Sequence, residues 1–211
     1  MRRPIGGSAS EAECHAVAVG TIGRVEVVCG PMFAGKTEEL LRRVRRALIA
    51  GRHVTVFGHA LDTRQGADRL ASHVGLSVPA LAVGSAEDIE PAVPDGTDIV
   101  AIDEAQFFGP GLVPVVGRLA DRGLVVIVAG LDVTFDGRPF EPLPSLMALA
   151  EQVDKLTAIC SVCGEEAVFH VRLGGTPVEA DALVEANVGG TETYQARCRR
   201  HFDAPAAQGG R

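Results

Sequence analysis

One short segment, residues 30–37, restricts the fold of this chain more than any other feature. It reads Gly-Pro-Met-Phe-Ala-Gly-Lys-Thr and matches the phosphate-binding pattern G-x-x-x-x-G-K-[ST]. The β-branched run Arg24–Cys29 precedes it, and a helical stripe beginning at Lys36 follows it, formed by Leu40, Leu41, Val44 and Leu48. Because a phosphate loop functions between a strand and a helix, this context favours a P-loop over an incidental glycine turn.

Further apolar runs extend this unit into an alternating pattern. We expect buried parallel strands over residues 53–57, 80–83, 98–102 and 124–129, and helices over residues 112–120 and 146–153. Gly51 provides the stop signal of the first helix. The pattern predicts the α/β class, with a P-loop (RecA-like) parallel sheet and helices.

An apolar strand that ends in two carboxylates, Asp103 and Glu104, lies further along the chain. Such a strand beside a phosphate loop is typical of a Walker B site. We expect Lys36 to bridge the β- and γ-phosphates, and Thr37 and Asp103 to hold Mg²⁺. Glu104 is the candidate general base. A hydrolase would use the same glutamate to orient water, so both ATP hydrolysis and phosphoryl transfer to an acceptor stay open at this point.

Two ligand pairs lie near the C-terminus: Cys160-x-x-Cys163 and Cys198-x-x-His201. They supply the four ligands of tetrahedral structural zinc, a closed site without an open coordination position. The chain has 5 cysteines, and an odd number in a reducing compartment disfavours a disulfide framework. We interpret Cys14 as a bystander and Cys29 as a small core residue.

Composition and motifs together divide the chain into regions. We expect a disordered extension over residues 1–22, the P-loop α/β domain over residues 23–150, a small zinc-ribbon lobe over residues 151–203 and a disordered tail over residues 204–211. Within the lobe, residues 174–190 are bounded by glycine pairs and show no clear apolar period. A loop of that length is typical of a lid.

The charge and the absence of long apolar runs restrict the partners. A formal net charge of -7 is unfavourable for a general nucleic-acid binder. No run approaches the roughly 20 apolar residues of a membrane span, and residues 1–20 lack the apolar region of a signal peptide. We therefore predict a cytoplasmic protein that has neither nucleic acid nor a membrane as a partner.

Three motifs together resemble the thymidine kinase family of the cellular, zinc-containing type. They are the phosphate loop continued to Leu40, residues 102–108 (Ile-Asp-Glu-Ala-Gln-Phe-Phe) and residues 190–202 (Gly-Thr-Glu-Thr-Tyr-Gln-Ala-Arg-Cys-Arg-Arg-His-Phe). The resemblance covers nearly the whole chain after Gly23. It implies ATP-dependent phosphorylation of the 5′-hydroxyl of thymidine, with deoxyuridine as an alternative acceptor. It also implies Mg²⁺ with ATP, structural Zn²⁺, a homotetramer and feedback by thymidine triphosphate.

The resemblance implies roles for individual residues as well. Glu104 corresponds to the family's general base. The positions corresponding to ATP and Mg²⁺ contacts are Gly30, Pro31, Met32, Phe33, Ala34, Gly35, Lys36, Thr37, Asp103, Asp62, Arg64 and Gln106. Those corresponding to substrate contacts are Phe107, Phe135, Phe140, Val188, Gly189 and Tyr194. Residues 174–190 correspond to a lasso that encloses thymine largely through backbone hydrogen bonds.

The sequence leaves two other functions to be weighed. One is a P-loop ATPase coupled to a partner through the zinc lobe, and the other is a nucleic-acid module with Arg197, Arg199 and Arg200 as its basic patch. Phe135 and Phe140 share one short segment although the chain has only 8 phenylalanines, which favours a small-molecule pocket over a motor. Departures from residues common in the family, at Ala34, Gln65, Glu141 and Thr191, replace none of the proposed catalytic residues.

Overall fold

The computed structural model describes residues 22–61, 69–71, 77–173 and 193–202. Several predicted features lie outside these ranges: Asp62, Arg64, Val188, Gly189, the lasso over residues 174–190, and nearly all of the predicted extension and tail. Within the described ranges, no helix is both long enough and apolar enough to cross a bilayer.

A parallel sheet forms the centre of the fold. In chain order the strands are β1 (Arg24–Cys29), β2 (Val54–His59), β3 (Arg69–Ala71), β4 (Ser77–Pro79), β5 (Leu81–Val83), β6 (Ile99–Ile102), β7 (Val125–Gly130), β8 (Gln152–Lys155), β9 (Ala158–Ile159), β10 (Glu166–Ala167), β11 (Phe169–Arg172) and β12 (Tyr194–Arg197). The α-helices among the described residues are α1 (Lys36–Ile49), α2 (Leu112–Asp121) and α3 (Leu143–Leu149). Six strands form the sheet in the order β5-β2-β6-β7-β1-β8. The α/β class with a parallel sheet is therefore confirmed.

The strand order decides where the chemistry lies. β7 pairs in parallel with β1 on one side and with β6 on the other. The carboxyl ends of parallel strands meet at one edge of the sheet, and ligands bind there in open α/β folds. Residues 30–37 follow β1, and Asp103 follows β6. The two predicted phosphate-site motifs thus lie at the same edge.

Helix α1 covers one face of this sheet with part of its predicted stripe. Leu40, Leu41 and Val44 are buried against residues of β1, β2, β6 and β7. Gly51 has the positive φ of 73° that suits a residue just beyond a helix end. Leu48 lies on the same stripe but is 49% exposed, because the last turn of α1 extends past the apolar cluster.

Two predictions need correction. The helix expected over residues 146–153 is instead α3, whose end at Leu149 is followed by extended backbone at Ala150 and then by β8. β8 pairs with β1, so the sheet continues to Lys155. The strand expected to be buried over residues 80–83 is the edge strand β5, where Leu81 is 45% exposed.

The residues after Lys155 form a small lobe from two strand pairs. β9 pairs with β10, and β11 pairs with β12, in antiparallel fashion. Its core consists of small residues: Ala158, Cys160, Ala167, Ala196 and Cys198. Ala34 of the phosphate loop packs against this cluster, so the lobe supports the loop directly.

A buried guanidinium joins α1 to two strands of the sheet. Arg43 forms ion pairs with Glu26 of β1 at 2.8 Å, with Glu39 at 2.8 Å and with Asp154 of β8 at 2.6 Å. The side chains of Arg43 and Glu26 are only 11% and 9% exposed. Glu26 also pairs with Arg24 at 2.7 Å. A charge buried to this extent is tolerated because it is paired on several sides.

We expect Arg43→Ala to lower the free energy of unfolding by roughly 2 to 4 kcal/mol, since it leaves Glu26 buried with only Arg24 as a partner. Urea denaturation monitored by circular dichroism measures this change. The matched control is Arg42→Ala, which removes the other arginine bound to Glu39. Arg42 is 56% exposed, so we expect a much smaller loss than in Arg43→Ala, because solvent screens an exposed ion pair. Equal losses in the two variants would contradict the buried network.

Candidate active site and metal centre

The phosphate loop has backbone conformations that its glycines make accessible. Gly30 has a φ of 146°, and a Cβ there would lie 2.4 Å from the carbonyl oxygen of Leu156. Gly35 has a left-handed φ of 81° and directly precedes α1. The backbone N–H groups at the start of α1 have no partner within the helix and favour an anion. The loop can therefore hold a phosphate, as the motif predicts.

The candidate phosphate and metal residues lie together at this loop. The Lys36 ammonium donates a hydrogen bond to the carbonyl oxygen of Pro31 at 2.8 Å. The Thr37 hydroxyl donates to Asp103 Oδ2 at 2.9 Å. Asp103 is only 3% exposed, and burial, together with the neighbouring Glu104, raises its pKa to about 7. Two oxygen ligands of the kind that Mg²⁺ prefers are thus adjacent.

Glu104 occupies an unusual backbone position. Its φ of 50° and ψ of 43° are left-handed, and it precedes the short 3₁₀-helix Ala105–Phe108. For a residue with a Cβ this region is sparsely populated, and such residues are often found at functional sites. Gln106 donates a hydrogen bond from Nε2 to Glu104 Oε2, so the carboxylate has a defined partner.

A hairpin-like segment over residues 131–140 follows β7. The N–H of Thr134 donates to the carbonyl of Arg138 at 2.9 Å, and the N–H of Phe140 donates to the carbonyl of Asp132 at 3.1 Å. Phe135 lies at the turn between these bonds. The segment is held in shape by its own backbone hydrogen bonds.

Most of the described residues predicted to contact the nucleoside come together beside the phosphate loop. An apolar cluster contains Met32, Leu131, Phe140 and Tyr194, and Phe135 packs against it. Tyr194 is 1% exposed. Phe107 is not part of this cluster: its ring lies 5.9 Å from that of His59, at the end of β2.

The sequence did not single out Asp132, although it is buried at the same sheet edge. Asp132 Oδ2 pairs with Lys155 Nζ at 2.6 Å, and the aspartate side chain is only 3% exposed. Burial, with Asp132 nearby, raises the pKa of Cys29 to about 12. The sequence does contain a pattern that could have identified Asp132: like Asp103, it is an aspartate that closely follows an apolar strand. The pair joins the hairpin-like segment to β8.

The predicted zinc ligands converge in the lobe. One ligand atom from each of Cys160, Cys163, Cys198 and His201 lies within 4.8 Å of all the others. Cys163 Sγ and Cys198 Sγ are 3.7 Å apart, and His201 Nδ1 is 3.8 Å from Cys160 Sγ. Zinc–sulfur bonds of about 2.3 Å in a tetrahedron place the sulfur atoms about 3.8 Å apart. The donor set and the spacing therefore fit structural zinc.

The residue after the zinc-site histidine reaches the hairpin-like segment. A Cβ at Gly137, whose φ is 82°, would lie 2.7 Å from Phe202 Cε1. The Phe202 ring stacks on Phe169 with centroids 4.3 Å apart, and the Arg199 guanidinium lies 5.1 Å from the Phe169 ring centroid. The metal cluster is thus connected to the segment that carries Phe135.

Comparisons with known proteins agree with these motifs. A family model described as "Thymidine kinase" matches residues 23–202. A curated protein named thymidine kinase from Deinococcus radiodurans is 50% identical over 200 residues, which cover 89% of this chain and 92% of that protein. Another with the same name, from Deinococcus deserti, is 50% identical over 190 residues, which cover 85% of this chain and 94% of that protein.

The purified protein is expected to hold one zinc ion per chain. Cys163→Ser is expected to lower that content severalfold, because a structural site binds zinc more weakly when one of its four ligands is removed. Atomic emission spectrometry measures the ratio of metal to protein. The control is Cys29→Ser, which replaces a buried cysteine outside the cluster and should retain its zinc. Stoichiometric zinc in the Cys163→Ser protein would contradict the ligand assignment.

Proposed function

This chain belongs to the thymidine kinase family, and we propose that its site transfers the γ-phosphoryl group of ATP to the 5′-hydroxyl of thymidine. The observation that carries the proposal is one juxtaposition. The Thr37–Asp103 pair lies at the phosphate loop, and the apolar cluster that contains Met32 of that same loop includes Phe140 and Tyr194. A nucleoside held by this cluster lies close to phosphates held by the loop.

The phosphate-binding role is assigned to residues 30–37. The N-terminus of α1 stabilises negative charge, and Lys36 supplies a cation that can exchange its contact with Pro31 for phosphate oxygens. Thr37 and Asp103 would hold Mg²⁺, which when bound would neutralise charge on the phosphates during transfer. Positioning and charge neutralisation account for most of the catalysis in such sites.

Glu104 is assigned as the general base for the 5′-hydroxyl. It directly follows the metal-binding candidate Asp103, so a base there lies next to the phosphate that accepts attack. Its side chain is partly exposed, which allows a substrate to reach it. The hydroxyl proton passes to the carboxylate as the oxygen attacks the γ-phosphorus, and the bond from that phosphorus to the β,γ-bridging oxygen breaks, so that ADP leaves.

The nucleoside pocket is assigned to Phe135, Phe140 and Tyr194 from the described residues. Aromatic side chains offer a flat apolar surface to a base. The resemblance adds Phe107, the lasso over residues 174–190 with Val188 and Gly189, and the polyphosphate contacts Asp62 and Arg64. These remain part of the proposal on that resemblance alone.

Two further properties rest on the family resemblance: a homotetramer and feedback inhibition by thymidine triphosphate. The cytoplasmic location rests instead on the sequence, in which no run approaches the length of a membrane span. Multi-angle light scattering measures the mass of the assembly. Initial rates at rising thymidine triphosphate measure the feedback, with thymidine monophosphate as the matched control nucleotide. A monomeric mass or equal inhibition by the two nucleotides would contradict the first or the second property.

The acceptor is tested by phosphate transfer from γ-labelled ATP to a panel of nucleosides, measured beside phosphate release without any nucleoside. We expect transfer to thymidine, with deoxyuridine as the second acceptor. Release of phosphate without transfer would support the alternative of a P-loop ATPase that acts on a partner through the zinc lobe.

Glu104→Gln is expected to lower kcat by roughly 10²- to 10⁴-fold while both substrates still bind, because an amide cannot accept the hydroxyl proton. Steady-state kinetics and equilibrium binding of ATP and thymidine separate the two effects. Asp121→Asn, an exposed carboxylate at the end of α2, is the control and should retain wild-type kcat. Near-normal turnover of Glu104→Gln would exclude it as the base.

Phe202→Ala is expected to raise the KM for thymidine by about tenfold and to change the KM for ATP little. The Phe202 ring packs against Gly137 of the hairpin-like segment but does not belong to the cluster that supports Ala34. Its removal should therefore displace the hairpin-like segment and weaken thymidine binding, while the phosphate loop and ATP binding change little. Substrate titrations check this. The control is Val162→Ala, which changes an exposed apolar residue of the lobe. Equal changes in both KM values of Phe202→Ala would contradict an effect that acts through the hairpin-like segment.

A further inference from the structure

Gln106 is a buried amide with both ends bound. It is 1% exposed; its Oε1 accepts a hydrogen bond from the N–H of Leu131 at 3.0 Å, and its Nε2 donates to Glu104 Oε2. A backbone N–H can pair only with the carbonyl oxygen of the amide. The Leu131 N–H therefore determines the orientation of the amide and directs the NH₂ group to Glu104.

The chain leaves space for this amide at one position. A Cβ on Gly130 would lie 2.8 Å from Gln106 Oε1, 2.9 Å from a methyl carbon of Leu143 and 3.2 Å from the backbone nitrogen of Ala105. Gly130 does not have a positive φ, so the absence of a side chain, rather than the backbone conformation, is what matters at this position. The last residue of β7 thus permits the contact between Gln106 and Leu131.

Glu104 requires such support more than an ordinary surface glutamate. Its left-handed backbone is a conformation that residues with a Cβ adopt rarely. A glutamate side chain also has several rotatable bonds, and ordering them costs conformational entropy. A hydrogen bond from a buried, fixed amide restricts the carboxylate to one arrangement before the substrate arrives.

We propose that Gln106 is a positioning residue that connects the general base to the nucleoside pocket, rather than a ligand of ATP or Mg²⁺ as the resemblance implies. Its second partner, Leu131, belongs to the apolar cluster with Phe140 and Tyr194. One amide therefore holds the base at a set distance from the pocket that presents the 5′-hydroxyl. The inference rests on the proposed function.

The variants Gln106→Met and Gln106→Glu test this role at nearly constant side-chain size. Met removes both hydrogen bonds, whereas Glu retains an acceptor for Leu131 but replaces the donor beside Glu104 with a second carboxylate. We expect each to lower kcat by roughly 10- to 100-fold, with the KM values for ATP and thymidine and the Mg²⁺ dependence within about threefold of wild type. A raised KM for ATP or a raised Mg²⁺ requirement at unchanged kcat would overturn the proposal.

A double substitution distinguishes positioning from a general loss of stability. In the Glu104→Gln protein, Gln106→Met should cause almost no further loss of kcat, because Gln106 acts through the carboxylate that is already gone. Multiplicative losses would overturn the proposal.

Gly130→Ala gives a second measurement should Gln106→Met not fold. It displaces the amide without changing it, and a kcat equal to wild type in this variant would also overturn the proposal. Failure of the proposed function itself shows separately, as an absence of phosphoryl transfer to thymidine by the unsubstituted chain.

Discussion

β7 pairs in parallel with β1 on one side and with β6 on the other, and these pairings bring three strand ends to one edge of the sheet. The phosphate loop follows the first strand end, Asp103 and Glu104 follow the second, and Leu131 follows the third. The hydrogen bonds Thr37–Asp103 and Leu131–Gln106 are possible only in this alignment. A shift of one residue in β7 would turn its side chains to opposite faces and move Leu131 away from Gln106.

The parts of the fold that could be predicted from the sequence are those encoded locally. β1, the loop and the start of α1 combine an apolar pattern with a specific motif, and the four zinc ligands have a diagnostic spacing. β8 was missed because Gln152–Lys155 has no apolar pattern; the strand forms through its pairing with β1. The sequence also could not predict the Arg43–Glu26 and Asp132–Lys155 pairs, because each pair joins residues that are distant in sequence. Gln106 was identified, but its partners could not be.

The lobe does more than close the metal site. Its core supports Ala34 of the phosphate loop, the carbonyl of Leu156 lies against Gly30, and Phe202 lies against Gly137. Removal of zinc would therefore disturb the loop as well as the pocket. A substitution that leaves the core of the lobe intact therefore distinguishes an effect on the pocket from an effect on the phosphate loop better than a substitution of a metal ligand does.

The contact between Gly137 and Phe202 has a consequence for sequence design. A ring at one position occupies the space that a side chain at the other would need, and the positive φ of Gly137 disfavours any replacement even without the ring. Gly137 and Phe202 must therefore be kept or replaced together when this chain is recombined with another. A chimera that takes residues 131–140 from one parent and the lobe from a second should inherit both residues together, or neither.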